Sequence, residues 1–191
     1  PRLLSSALAA LAQDTQGAAP RSELDEIAGL CSLEQIAAAR QAALADAATL
    51  VERGRALRSA QQELREVEAR YAWSEPVVAR AALELVELDV ERGRRLQSVE
   101  ALGELVKRYQ KVPGVAARAL LRRTELLDLA FDPRALGEAY AEVVVRFPSE
   151  RAIVRDASTR AVRSVLEASG DDAGPGAIDA LRRLLMSTPA P

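Results

Sequence analysis

Apolar positions recur at helical spacing along most of the chain. Between residues 77 and 91, Val77, Ala81 and Leu88 share one face, whereas Arg80, Glu84, Glu87 and Glu91, at i, i+4, i+7 and i+11, share another. That is the pattern of an amphipathic helix; a strand would alternate every second residue. The phrase returns twice, aligning Val77 with Val115 and Ile153, and Ala81 with Ala119 and Ala157. The polar face returns with it, as Arg118, Arg122 and Glu125, then as Asp156, Arg160, Arg163 and Glu167.

Punctuation between these stretches sets the unit. Tyr71, Tyr109 and Phe147 stand 38 residues apart; each follows an arginine and is soon followed by Pro76, Pro113 or Pro148. Ser74 before Glu75-Pro76, Ser149 before Glu150, and Ser32 before Glu34-Gln35 carry helix N-terminal signals. The nonapeptides VERGRALRS (51–59) and VERGRRLQS (90–98) are identical at seven of nine positions. Gly54 and Gly93 within them suit the positive φ that ends a helix, with basic side chains matching a helix C-terminus. VERGR therefore reads as the last turn of one helix and the corner into the next, a structural joint rather than a duplicated anion site. Asp132-Pro133 replaces that corner in the third period, and SGDDAGPG (169–176) makes a longer loop before a final helix over 177–189. Each period is then a helix hairpin, at about 33–72, 76–110, 114–147 and 150–187. Residues 1–31 form a helical extension or cap before a repeat domain over 32–191. One hairpin cannot bury its apolar face alone, so neighbours must stack into a solenoid.

Composition agrees with an all-α chain. Hydrophobic residues are 49% of the total and aromatics 3%, so the core is built from Ala, Leu and Val. Asn-Gly and Asp-Gly, the strongest hairpin-turn signals, do not occur. Charge is balanced, with 26 basic and 28 acidic residues, which disfavours nucleic-acid or other polyanion binding as the main role. Histidine is absent and Cys31 is the single cysteine, which excludes an internal disulfide and His/Cys zinc sites and suits a small buried hydrophobe. Without histidine, a serine or cysteine nucleophile lacks its usual base; Glu66/Glu68 and Asp171-Asp172 read as solvated charge. No catalytic residue, metal ligand or cofactor is expected. GDDAGPG lacks both a phosphate-loop ending and a calcium-loop ligand series. No stretch reaches the ~18 apolar residues of a membrane span.

RGRRLQSVEALGELVKRY and AYAEVVVRFPSERAIVRDA resemble tetratricopeptide repeats, in which the second helix ends before a proline-marked turn. The aromatic-proline-polar ending Phe147-Pro148-Ser149 is similar to the bacterial cell-envelope type. The period of 38 exceeds the family's about 34, and the Trp…Leu-Gly…Tyr signature is missing. The resemblance implies a right-handed α-solenoid of about four hairpins that acts as a non-enzymatic scaffold, its first helices lining a concave groove. The groove residues would be Arg80, Glu84, Glu87, Arg118, Arg122, Glu125, Arg160 and Arg163, holding a partner protein or peptide of mixed charge. Trp73, in an inter-repeat turn, is a candidate interface anchor. Tyr71, Tyr109, Tyr140, Phe131 and Phe147 read as packing residues. The resemblance also favours a bacterial periplasm or cell envelope. Two other readings stay open: a structural or regulatory domain of a larger protein whose activity lies elsewhere, and self-association through a terminal hairpin, whose outer face has no neighbour.

Overall fold

A computed structural model describes residues 23–127 and 133–169. Among the described residues the chain is all-helical, with seven helices and no strand: α1 (Glu23–Asp46), α2 (Leu50–Arg70), α3 (Glu75–Glu91), α4 (Arg95–Arg108), α5 (Pro113–Leu127), α6 (Pro133–Arg146) and α7 (Arg151–Ser169). The 38-residue period is visible in the element bounds. α3, α5 and α7 start at 75, 113 and 151, and α2, α4 and α6 end at 70, 108 and 146.

Tyr71, Tyr109 and Phe147 each occupy the position just past a helix. Their backbone N–H groups donate to Val67, Leu105 and Val143 respectively, the last i→i−4 bond of each ladder. Arg108 and Arg146 then lay their guanidinium carbons 5.3 and 5.5 Å from the centres of the Tyr109 and Phe147 rings. The arginine-aromatic pairs of the sequence are thus helix ends.

Starts are equally local in origin. Thr49 opens α2 with a complete capping box: its hydroxyl accepts from Glu52 N (3.2 Å) and its own N–H donates to Glu52 Oε2 (2.9 Å). Ser74 caps α3 by accepting from Val77 N, and Pro76 follows within the first turn. The Ser74 hydroxyl also donates to Glu26 Oε2 of α1 at 2.7 Å, so the cap is fastened to a neighbouring helix.

The helices form two compact units, divided between Gly93 and Arg94. In the first, α1 packs on both α2 and α3, and α2 packs on α3. Its core joins Leu33 of α1, Leu57, Ala60, Leu64 and Val67 of α2, and Val77, Ala81 and Leu88 of α3. Gly29 lets α1 approach closely, because a Cβ there would stand 3.0 Å from Val77 Cγ2 and 3.1 Å from the Tyr71 ring. In the second unit α4 packs on α5, α5 on α6 and α7, and α6 on α7. Leu102, Tyr109, Val115, Ala119, Tyr140, Val143, Val154 and Ala157 are among its buried residues. The Arg95 guanidinium donates to the Leu126 carbonyl oxygen, satisfying an acceptor at the end of α5.

Three local expectations are corrected. Gly54 is no corner: it lies inside α2, five residues after the Thr49 cap, and positive φ belongs to Gly93 (81°). Ser32 starts nothing, because α1 runs unbroken from Glu23 to Asp46 and the Ser32 hydroxyl donates back to Ala28 O. That i−4 bond is the side chain's alternative to capping inside a helix. The helix after Ser149 begins at Arg151, with Glu150 O as its first acceptor. Cys31 is half-buried. Asp132, Phe131, the 170–176 part of the glycine-rich loop, the helix expected over 177–189 and residues 1–22 lie outside the described residues.

Candidate functional site

Helices α1, α3, α5 and α7 carry the rows of charge. In the first unit the row is a lattice between α1 and α3. Arg80 Nη2 sits 3.0 Å from Glu34 Oε1 and 3.0 Å from Glu84 Oε1. Arg40 Nη1 reaches Glu84 Oε2 at 3.2 Å, and Arg40 Nε lies 3.4 Å from Glu91 Oε1 without hydrogen-bond alignment. Arg40 and Glu84 are buried, with side-chain exposures of 6% and 8%, whereas Glu34 is exposed. Arg40 Nε, Arg80 Nε and Glu91 Oε2 are sealed from solvent without a hydrogen-bond partner. Glu84 thus faces two guanidinium groups, and its loss would strand the buried Arg40.

The second unit builds the matching row between α5 and α7. Arg122 Nη1 pairs with Glu125 Oε2 at 2.8 Å, Glu125 Oε1 with Arg160 Nη2 at 3.2 Å, and Arg160 Nε with Asp156 Oδ1 at 3.0 Å. The hydrogen bond to Asp156 raises the Arg160 pKa above its usual value; a bond to the buried Tyr140 and the charge of Glu125 add to this, and desolvation opposes it. A raised guanidinium pKa leaves its stabilisation intact at every pH below the unfolded value, so Arg160 stays charged through the working range. Here the side chains are far more open, at 38% for Arg160 and 47% for Asp156.

The residues proposed from sequence therefore separate into three groups. Arg80 and Glu84 are held in the buried lattice, and Glu87 is half-buried on the same helix. Arg122, Glu125 and Arg160 form the open row, flanked by exposed Arg118 and Arg163. Trp73 is half-buried in the turn before α3, its ring centre 6.2 Å from that of Tyr71. Sequence reasoning missed Arg40. A signal was present: Arg40 falls in register with Gly29, Leu33, Ile36 and Leu44 on the apolar face of α1, where a cation demands a buried partner.

An open depression of about 500 Å³ runs along Arg58, Gln61, Gln62, Arg65, Glu66 and Ala69, which all belong to one face of α2. Among the described residues no group of three or more Asp, Glu or Cys is placed to hold a metal ion, and no helix is long and apolar enough to cross a membrane. No protein-family model, curated protein or solved structure matches the chain.

Proposed function

We propose that the chain is a non-enzymatic helical-repeat scaffold of the tetratricopeptide type, which recognises another protein or peptide along the charged faces of its first helices. The observation that carries this reading is the direct packing of alternate helices, α1 on α3 and α5 on α7, with ion pairs Glu34–Arg80 and Glu125–Arg160 crossing between them. Within each unit the charged side chains of its two first helices therefore meet, as they would in a hairpin array that presents a recognition surface. The open row of α5 and α7 is the better docking face, because Glu84 and Arg40 are already committed to each other. Charge of both signs suits a partner of mixed charge and suits a nucleic acid poorly.

Site-specific photo-crosslinking tests this directly. A crosslinker at Arg118 or Arg163 should trap partner proteins in a native lysate, and one at Lys107, exposed on the second helix α4, should not. Equal trapping at all three positions, or none at any, would sink the groove assignment.

A further inference from the structure

The two units carry opposite charge on corresponding helices. α1 and α3 together contain ten carboxylates against Arg40 and Arg80, whereas α5 and α7 contain seven arginines against three carboxylates. The second helices show no such bias; α2 and α4 each carry one excess positive charge and α6 none. Segregation of charge is therefore a property of the first helices, on which the proposed recognition function rests.

Much of this charge is accessible. Glu23, Glu34, Asp46 and Glu75 are exposed on the acidic helices, and Arg118, Arg151, Arg155 and Arg163 on the basic ones. Every cation in the α5 and α7 layer is an arginine, whose planar fork suits two-point pairing with a carboxylate. Arg122 and Arg160 are held in place by Glu125, Asp156 and Tyr140, so the basic row is preorganised rather than a set of free tethers.

We propose that a second copy of this chain is an occupant of these faces, the acidic α1/α3 layer of one copy meeting the basic α5/α7 layer of another. Like faces repel, so only the unlike pairing is favourable, and charge selects the register as well as the partner. The whole chain carries a net charge of only −2, so general repulsion between copies is small and local complementarity decides the encounter. A long polyanion fits less well, because whatever the basic layer attracts the acidic layer repels.

Sedimentation equilibrium of the 191-residue chain tests the idea. At about 0.02 M salt the average mass should rise above 20.5 kDa with protein concentration, and it should return to 20.5 kDa at about 1 M, where the screening length falls to about 3 Å. Arg118→Glu/Arg163→Glu should weaken association at least about tenfold, and so should Glu23→Lys/Glu75→Lys at the exposed acids. An equimolar mixture of the two variants recreates the unlike pairing and should recover the mass of the wild type, which also shows that both are folded. A wild type that stays monomeric at low salt, association untouched by either variant, or a mixture that fails to recover would overturn the proposal. Should the chain stay monomeric while Arg118 still traps other proteins, self-recognition fails and the scaffold reading stands.

Discussion

The ion pairs between α1 and α3 and those between α5 and α7 occupy the same place in the repeat yet live in different media. Glu84, Arg122 and Arg160 are equivalent positions at 38-residue spacing. Glu84 is 8% exposed and sits between two guanidinium groups, while Arg160 is 38% exposed and holds two carboxylates. Attraction between charges grows as water is excluded, and so does the cost of losing a partner. The buried lattice is therefore a packing constraint, and the open row keeps its pairs in contact with solvent.

The largest effect should come from breaking the buried side of this comparison. Glu84→Ala leaves Arg40 buried with only the poorly aligned contact to Glu91, and should cost about 3–5 kcal/mol in urea unfolding followed by circular dichroism. Arg40→Met/Glu84→Leu removes both charges, while Arg80 keeps Glu34. Most of that loss should be recovered, because an apolar pair of similar volume often matches or betters a buried ion pair. A double variant as unstable as the single one would mean that the lattice does more than seal a charge.

Close approach sharpens the same contrast. Gly29 lies where α1 meets α3, and an added methyl would press at 3.0 Å on Cγ2 of the fully buried Val77, which would have to give by a few tenths of an ångström. Gly29→Ala should lose about 1–3 kcal/mol despite the better helix propensity of alanine. Gly103, in α4 of the second unit, would place its Cβ 3.5 Å from Arg123 Nε, an ordinary contact. Gly103→Ala should therefore gain about 0.5–1 kcal/mol. Thermal unfolding of the two variants reads the sign directly, and like signs would refute the packing argument.

What the sequence revealed follows the range of the forces involved. Helix periodicity, the aromatic helix ends and the Ser74 cap are local, and all of them were readable. The VERGR pair shows where local reading ends. In the second copy Glu91 closes α3 and Gly93 turns the chain at φ 81°. In the first copy, Glu52 is the third residue of a capping box and Gly54 sits within α2. Seven shared positions of nine did not decide the structure; Thr49, just outside the match, did. The lattice of Arg40 was harder still, since its partners lie 44 and 51 residues along the chain, and only a misplaced cation on an apolar face pointed to it. Gly54→Ala and Gly93→Ala express this difference as a pair. The first should stabilise by up to about 1 kcal/mol, and the second should destabilise by about 1–2 kcal/mol, since a left-handed residue gains a Cβ.

The smallest effect belongs to the open row. Glu125 joins Arg122 of its own helix to Arg160 of α7, and Glu125→Gln removes that bridge without creating a cavity. Arg160 keeps Asp156, and solvent reaches both arginines, so neither cation is stranded. The loss should stay below about 1 kcal/mol at physiological salt and shrink further as salt rises, as exposed pairs do. Unfolding midpoints at two salt concentrations measure it. A loss as large as that of Glu84→Ala would place this row, too, in the structural core and leave the groove without a face. A small loss, joined to a measurable change in what crosslinks at Arg118, would separate the two rows by role: one holds helices together, and the other is there to be touched.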